Sequence, residues 1–156
     1  MTASWADRSL VDGSLQDLGL VFRSLASLSL PAPSGIYRAE FVGPGWLRRL
    51  APPALALGGL RGWWGKAFDG QGAINIVERG EIQLRVLPMT MVVAPSAVDG
   101  KPAIRLHYPQ GSPFPWPWIV DEARRLDDTT LLCMTLVNLS WAPRVAFPFL
   151  LHWVEE

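Results

Sequence analysis

Gly62-Trp63-Trp64-Gly65-Lys66-Ala67-Phe68 sets two indoles, two glycines and one cation within a stretch that reads as a short strand. Glycine inside a strand marks a bulge, tight curvature or the close approach of a neighbouring backbone, and a sheet that closes around a cavity needs such points. Lysine among aromatics is costly unless its ammonium meets an anion, a ligand or water. The stretch therefore describes one of two things. Either an apolar cavity holds a single deliberate charge, or this is an ordinary strand with Trp63 and Trp64 on opposite faces and Lys66 reaching solvent.

On both sides of this stretch, runs of strand-like composition alternate with turn signals about eight to twelve residues apart, the spacing of a meander or barrel. Strands are predicted over Ile36–Val42, Gly62–Phe68, Ala73–Glu78, Ile82–Val93, Ala103–Tyr108, Trp116–Leu126, Thr130–Asn138 and Val145–Trp153. Turns are predicted at Asp69-Gly70, Arg79-Gly80, Asp99-Gly100 and Asp127-Asp128, which tolerate the backbone angles a reversal needs. Ahead of the first strand, Leu15, Leu18, Val21, Phe22, Leu25 and Leu28 recur at helical steps. They predict an amphipathic helix over 9–30 that lies against the barrel or plugs it. Gly45 to Leu57 reads as a short helical insertion broken by Pro52-Pro53. The expected fold is one mainly β domain over 1–156. It is an antiparallel, calycin-like barrel of about eight to ten strands, since a sheet of this size tends to close and remove its edges.

Composition narrows the function. A chain of 156 residues suits one domain with a real core. With 49% apolar residues, 18% charged and a formal net charge of zero, neither disorder nor an electrostatic nucleic-acid or membrane-surface binder is indicated. No apolar run is long enough for a membrane helix. Cys133 is the one cysteine, so no internal disulfide forms, and a reducing, cytoplasmic setting is expected. Its surroundings, Leu131-Leu132-Cys133-Met134, read as a buried strand more than as a nucleophile's site. Two histidines and one cysteine at distant positions give no metal-ligand spacing, and no phosphate loop or nucleophile elbow occurs, so no cofactor is expected.

The order of several segments resembles a family, the small bacterial and fungal proteins with a GXWXG domain followed by a second domain of unknown function. Gly35-Ile36-Tyr37-Arg38-Ala39-Glu40 looks like a degenerate GXWXG motif, with Tyr for Trp and Ala for the second Gly. Trp63-Trp64-Gly65-Lys66-Ala67-Phe68 is similar to that family's Trp-Tyr-Gly-Lys-x-Phe element. The segment from Trp118 to Leu132 resembles its Asp-x-Phe-Arg-x-Asp-Asp-x-Thr-Leu-Leu-Gly run, with Cys133 where the family has Gly. Phe147-Pro148-Phe149-Leu150-Leu151 echoes its carboxyl-terminal pattern. The resemblance implies a calycin-like barrel and lipid binding, and implies no settled reaction.

Alternation sorts the candidate residues by face. In the first strand Ile36, Arg38 and Glu40 oppose the more core-like Tyr37, Ala39 and Phe41. Arg38 and Glu40 thus form an exposed pair, unless the mixed face lines the cavity and Arg38 anchors an anion. Arg105 and His107 share one face of their strand, and His107 is the histidine best placed to move a proton. Asp121 and Glu122 are adjacent, so only one can face inward. Asp121 is the candidate, to pair with Lys66 or Arg38 across the barrel, and a place on a solvated face is an equal reading of it. Pro113-Phe114-Pro115-Trp116-Pro117-Trp118 reads as a rigid rim whose aromatics close an opening. Met89, Met91 and Met134 are candidates for an adaptable lining.

Two functions follow from the residues. The first is a binding module for a small hydrophobic or amphipathic ligand, lipid-like, polyketide or terpenoid. Its lining is drawn from Trp63, Trp64, Met89, Met91, Trp116, Trp118 and Met134, and Arg38, Lys66 or Arg105 meets the polar head. The second is a cofactor-free cyclase or isomerase in the same cavity, with His107, Glu40, Asp121 or Tyr37 moving a proton. A third possibility is a structural subunit or homodimer that packs through exposed Trp5, Trp141 or Trp153.

Overall fold

The computed structural model describes residues 8–26, 32–138 and 145–154. Eight antiparallel strands run in chain order and close on themselves: β1 (Ser34–Phe41), β2 (Trp63–Asp69), β3 (Gly72–Arg79), β4 (Ile82–Pro95), β5 (Pro102–His107), β6 (Ile119–Arg125), β7 (Thr130–Val137) and β8 (Ala146–Val154). Closure is made by β1 on β8, from Ile36 opposite Val154 to Phe41 opposite Phe149, so the sheet has no free edge. The result is a mainly β, calycin-like barrel. The four turns fall where Gly and Asp place them. At the first, Asp69 Oδ1 accepts from the N–H groups of Gln71 (2.8 Å) and Gly72 (2.7 Å), while Gly70 takes a φ of 88°.

The amino-terminal helix is shorter than the periodicity predicts. It is divided into α1 (Arg8–Val11) and α2 (Leu15–Ser24). Gly13-Ser14 makes the break, and the Ser14 hydroxyl caps α2 by accepting from Asp17 N–H at 3.0 Å. Leu28, the last residue of the periodic set, lies outside the described residues. The helix lies against the barrel and does not plug it. Leu18 and Phe22 are fully buried against Leu132, Met134 and Leu150 on the outer face of β7 and β8.

Charged residues fasten this layer. Arg124 on β6 is fully buried on the outer face, where its guanidinium lies 4.5 Å from the Phe22 ring centre and donates to Phe22 O. It also forms two bonds to Asp99, at 2.6 and 2.8 Å, and reaches Lys101 O. Glu122, equally buried, accepts from Ser96 Oγ and Ala97 N and pairs with Arg105 at 3.1 Å. Both residues hold the turn between β4 and β5, and Arg124 ties that turn to α2.

The helical insertion, α3 (Gly45–Leu57), runs unbroken through Pro52 and Pro53, contrary to the expected break. Both prolines are exposed, and neither lines the barrel end. Apolar inner residues, Leu47, Ala51 and Leu55, seat the helix across one end of the barrel. Its start is held by Arg48, which pairs with Asp12 at 3.0 Å and donates to Gly43 O.

Hydrogen bonding from Arg124 holds the Asp99 carboxyl at about 2, below its ordinary value of 3.8. A depressed carboxylate adds stability above its unfolded value, and that contribution is lost as pH falls from about 4 through about 2. Acid titration followed by circular dichroism is expected to show this loss, flattened in an Asp99→Ala variant. At pH 7 that variant, leaving the buried guanidinium without its carboxylate, is expected to lose about 3–5 kcal/mol in urea unfolding.

Candidate functional site

The barrel interior is filled at one end and hollow at the other. Tyr37, Phe68, Ile104, Leu131, Cys133 and Leu151 pack the closed half, with Tyr37 edge-on to Phe68 at 5.3 Å. Beneath α3 lies a cavity of about 260 Å³. Its walls are Phe41, Leu60, Trp63, Trp116, Phe147 and Phe149, with Leu47, Ala51 and Leu55 of α3 as the roof. Leu50 also lines it yet is 59% exposed, which puts the mouth along this edge of α3.

An irregularity in β2 decides what the floor contains. Trp63 pairs with Val77 while Gly65 pairs with Ile76, so β2 carries one extra residue there. Strict alternation would put Trp63 and Lys66 on opposite faces; the bulge turns both inward and leaves Trp64 off the cavity. Only glycine fits the position. A Cβ on Gly65 would lie 2.0 Å from Tyr37 O of the neighbouring strand.

Lys66 is 1% exposed and pairs with Asp121 on β6, Nζ to Oδ2 at 3.1 Å. Its ammonium also donates to Asn75 Oδ1 at 2.7 Å and faces Met89 Sδ at 3.2 Å. Asn75 is the hub of the floor. Its Oδ1 accepts a second bond from Trp63 Nε1 at 3.0 Å, and its Nδ2 donates to Tyr108 Oη (3.0 Å) and Leu87 O (3.1 Å). Thr135 Oγ1 donates to Asp121 Oδ1 at 2.8 Å. Burial, the largest influence, pulls the Lys66 pKa down, but Tyr108 and Asp121 more than restore it, so the amine stays charged. Burial also raises the Tyr108 phenol above its ordinary value, with Lys66 opposing.

Above this floor, Trp116 stands where the rim reading of the proline-tryptophan stretch puts it. It begins a 3₁₀ turn, Trp116–Trp118, instead of a strand. The ring packs on Tyr108 at 5.1 Å and donates to Gly58 O at 2.6 Å, clamping the end of α3. Trp118 is 42% exposed and meets the Phe114 ring edge-on at 5.6 Å, away from the cavity.

The structure thus brings Trp63, Lys66, Trp116 and Asp121 together around one space, with Met89 touching the ammonium. It does not bring the others there. Met91 packs inside the barrel beyond the cavity, and Tyr37 lies in the filled half beside Phe68. Strand alternation turns Arg38, Glu40, Arg105 and His107 outward. Arg38 is exposed, Glu40 pairs with His152 at 2.9 Å, and Arg105 pairs with Glu122. His107 is half-buried on the outer face, its pKa lowered by burial and by Arg105. Met134 packs under α2. Of the tryptophans weighed for a partner surface, Trp153 is 44% exposed; Trp5 and Trp141 lie outside the described residues.

Sequence reasoning missed Asn75, Tyr108 and Thr135. The signal for Asn75 was present as one polar side chain amid Ala73-Ile74-Asn75-Ile76-Val77, at a position that β-strand composition disfavours. Among the described residues, no three His, Cys, Asp or Glu side chains come together as a metal site requires, and no helix is long and apolar enough to cross a membrane.

No protein-family model and no curated protein matches the chain. The fold is similar to the crystal structure of a protein from Thermomonospora curvata, with a TM-score of 0.68 and 16% identity over 92% of this chain and 90% of that one. At that identity the likeness concerns the fold alone.

Two measurements test the site's construction. Lys66→Met or Asp121→Leu alone strands a buried charge, and each is expected to lower unfolding free energy by about 3–5 kcal/mol. The double variant is expected to recover most of that loss, since apolar replacement of a buried pair is near neutral. Burial first, and then Asp121, push the Cys133 thiol well above its ordinary value. It is expected to resist a disulfide reagent at pH 8 in the native protein and to react fully in denaturant.

Proposed function

We propose that this barrel binds a small hydrophobic or amphipathic molecule, lipid-like, polyketide or terpenoid, beneath α3. The observation that carries the reading is the cavity of about 260 Å³, walled by aromatic and aliphatic side chains around one cluster of polar groups. Binding pockets generally have this composition, apolar walls for affinity and few polar groups for orientation. Trp63 and Trp116 present flat apolar faces while their N–H groups are satisfied by Asn75 and Gly58, so neither has an unmet polar need.

A cofactor-free cyclase or isomerase is the second reading, and one arrangement favours it. Asp121, Lys66 and Tyr108 bring groups able to move protons into a water-poor space. Of the acids and bases weighed from the sequence, Asp121 alone lines that space. Membership in the GXWXG family remains part of this proposal. Support comes from the four matching segments, which fall on β1, β2, β6–β7 and β8, so that three of them share the contiguous sheet β8–β1–β2.

Native mass spectrometry of freshly purified protein, with extraction and mass analysis of what it releases, tests the binding reading. A stoichiometric apolar ligand is expected. Ala51→Trp, which fills the cavity from the roof, is expected to fold and to lose that ligand. A wild-type protein that neither carries nor takes up apolar molecules would sink the proposal. The enzyme reading demands that Asp121→Asn lose turnover of a bound substrate while keeping affinity.

A further inference from the structure

The polar floor also discriminates among ligands. Resting on the binding reading above, we infer that the cavity selects an uncharged molecule bearing a hydroxyl, an alcohol or phenol of about ten heavy atoms, over carboxylates and amines of the same skeleton.

The argument begins with the cation. A buried lysine in an apolar pocket looks like an anchor for an anionic head, but the three hydrogens of the Lys66 ammonium are already surrounded by Asn75 Oδ1, Asp121 Oδ2, Met89 Sδ and the Tyr108 hydroxyl. Its charge is balanced by Asp121, which is itself 4% exposed. The floor is therefore a neutral pair. A carboxylate placed on it would bring acceptors only, next to the Asp121 carboxylate, and would be stripped of water without a free cation in return. An amine would add a second cation beside Lys66.

What the floor leaves open is a different pattern. Among the described residues Asp121 accepts one bond from Lys66 and one from Thr135, and an ionised carboxylate has room for about four. Tyr108 Oη accepts from Asn75, which leaves the phenol proton to be given. Tyr108, Asp121 and Thr135 all border the cavity. One spare acceptor and one spare donor match a hydroxyl, which gives a proton to Asp121 and accepts one from Tyr108. Size follows from volume. An apolar cavity of roughly 150 Å³ holds benzene, so about 260 Å³ accommodates roughly ten heavy atoms.

Isothermal titration at pH 7.5 with 1-octanol, octanoate and octylamine tests the inference on the intact protein. Octanol is expected to bind at least tenfold more tightly than either ion. Octanoate or octylamine binding as tightly as octanol overturns the selectivity while leaving the binding reading in place. No binding by any of the three, together with no uptake of larger apolar molecules, removes the binding reading and this inference with it. Asp121→Asn supplies an independent check, because it removes the counter-charge and keeps the shape. The ratio of octanoate to octanol affinity is expected to rise at least tenfold in that variant, and an unchanged ratio overturns the inference. Should Asp121→Asn fail to fold, the wild-type series still decides.

Discussion

A β-strand presents alternate side chains to opposite sides, and a barrel with an apolar interior enforces that rule on nearly every residue. The site here depends on two local departures from it, one in β2 and one in β4, where Leu87 is the extra residue and offers its carbonyl to Asn75. By inserting an extra residue at Trp64–Gly65, β2 turns Trp63 and Lys66 to the same side, and Gly65 permits this because a side chain there would collide with the backbone of β1. With the two inward, Asn75 can accept from both, Asp121 can meet the ammonium, and Thr135 and Tyr108 complete the set. Without the extra residue, strict alternation would send either the indole or the amine out of the interior.

The remaining architecture maintains the conditions under which this cluster matters. The filled half of the barrel prevents collapse from below, and α3 with the Trp116 clamp covers the top. Between them the ion pair sits in a low-dielectric space where its attraction is strong and its dehydration equally expensive. Such a pair adds little net stability over apolar residues. In that respect it differs from the Arg124–Asp99 bonds outside, which join a helix, a turn and a strand.

Much of this was legible in the residues. The turns were announced by Asp and Gly pairs, and alternation separated Tyr37 from Arg38 and Asp121 from Glu122, but His107, expected to move a proton in the cavity, lies on the outer face because its neighbours Leu106 and Tyr108 take the interior. Three features resisted. The bulge defeats any face assignment that counts by twos, so Trp63 and Lys66 could not be placed together from spacing. Glu122 and Arg124 look like solvent residues by type, and their complete burial depends on a turn and a helix distant in sequence. The helix through Pro52-Pro53 departs from a sound local rule, with both prolines on its exposed side. Asn75 was visible but unread.

Strand β6 carries this division of labour within consecutive residues. Its inward residues, Asp121 and Ala123, belong to the barrel interior, while the intervening Glu122 and Arg124 secure the turn and the helix on the far side. Neighbours in the chain thus serve separate parts of the structure. A substitution at Asp121 or Ala123 is felt inside the barrel, and one at Glu122 or Arg124 is felt in the outer layer, so a span of four residues carries two independent sets of contacts.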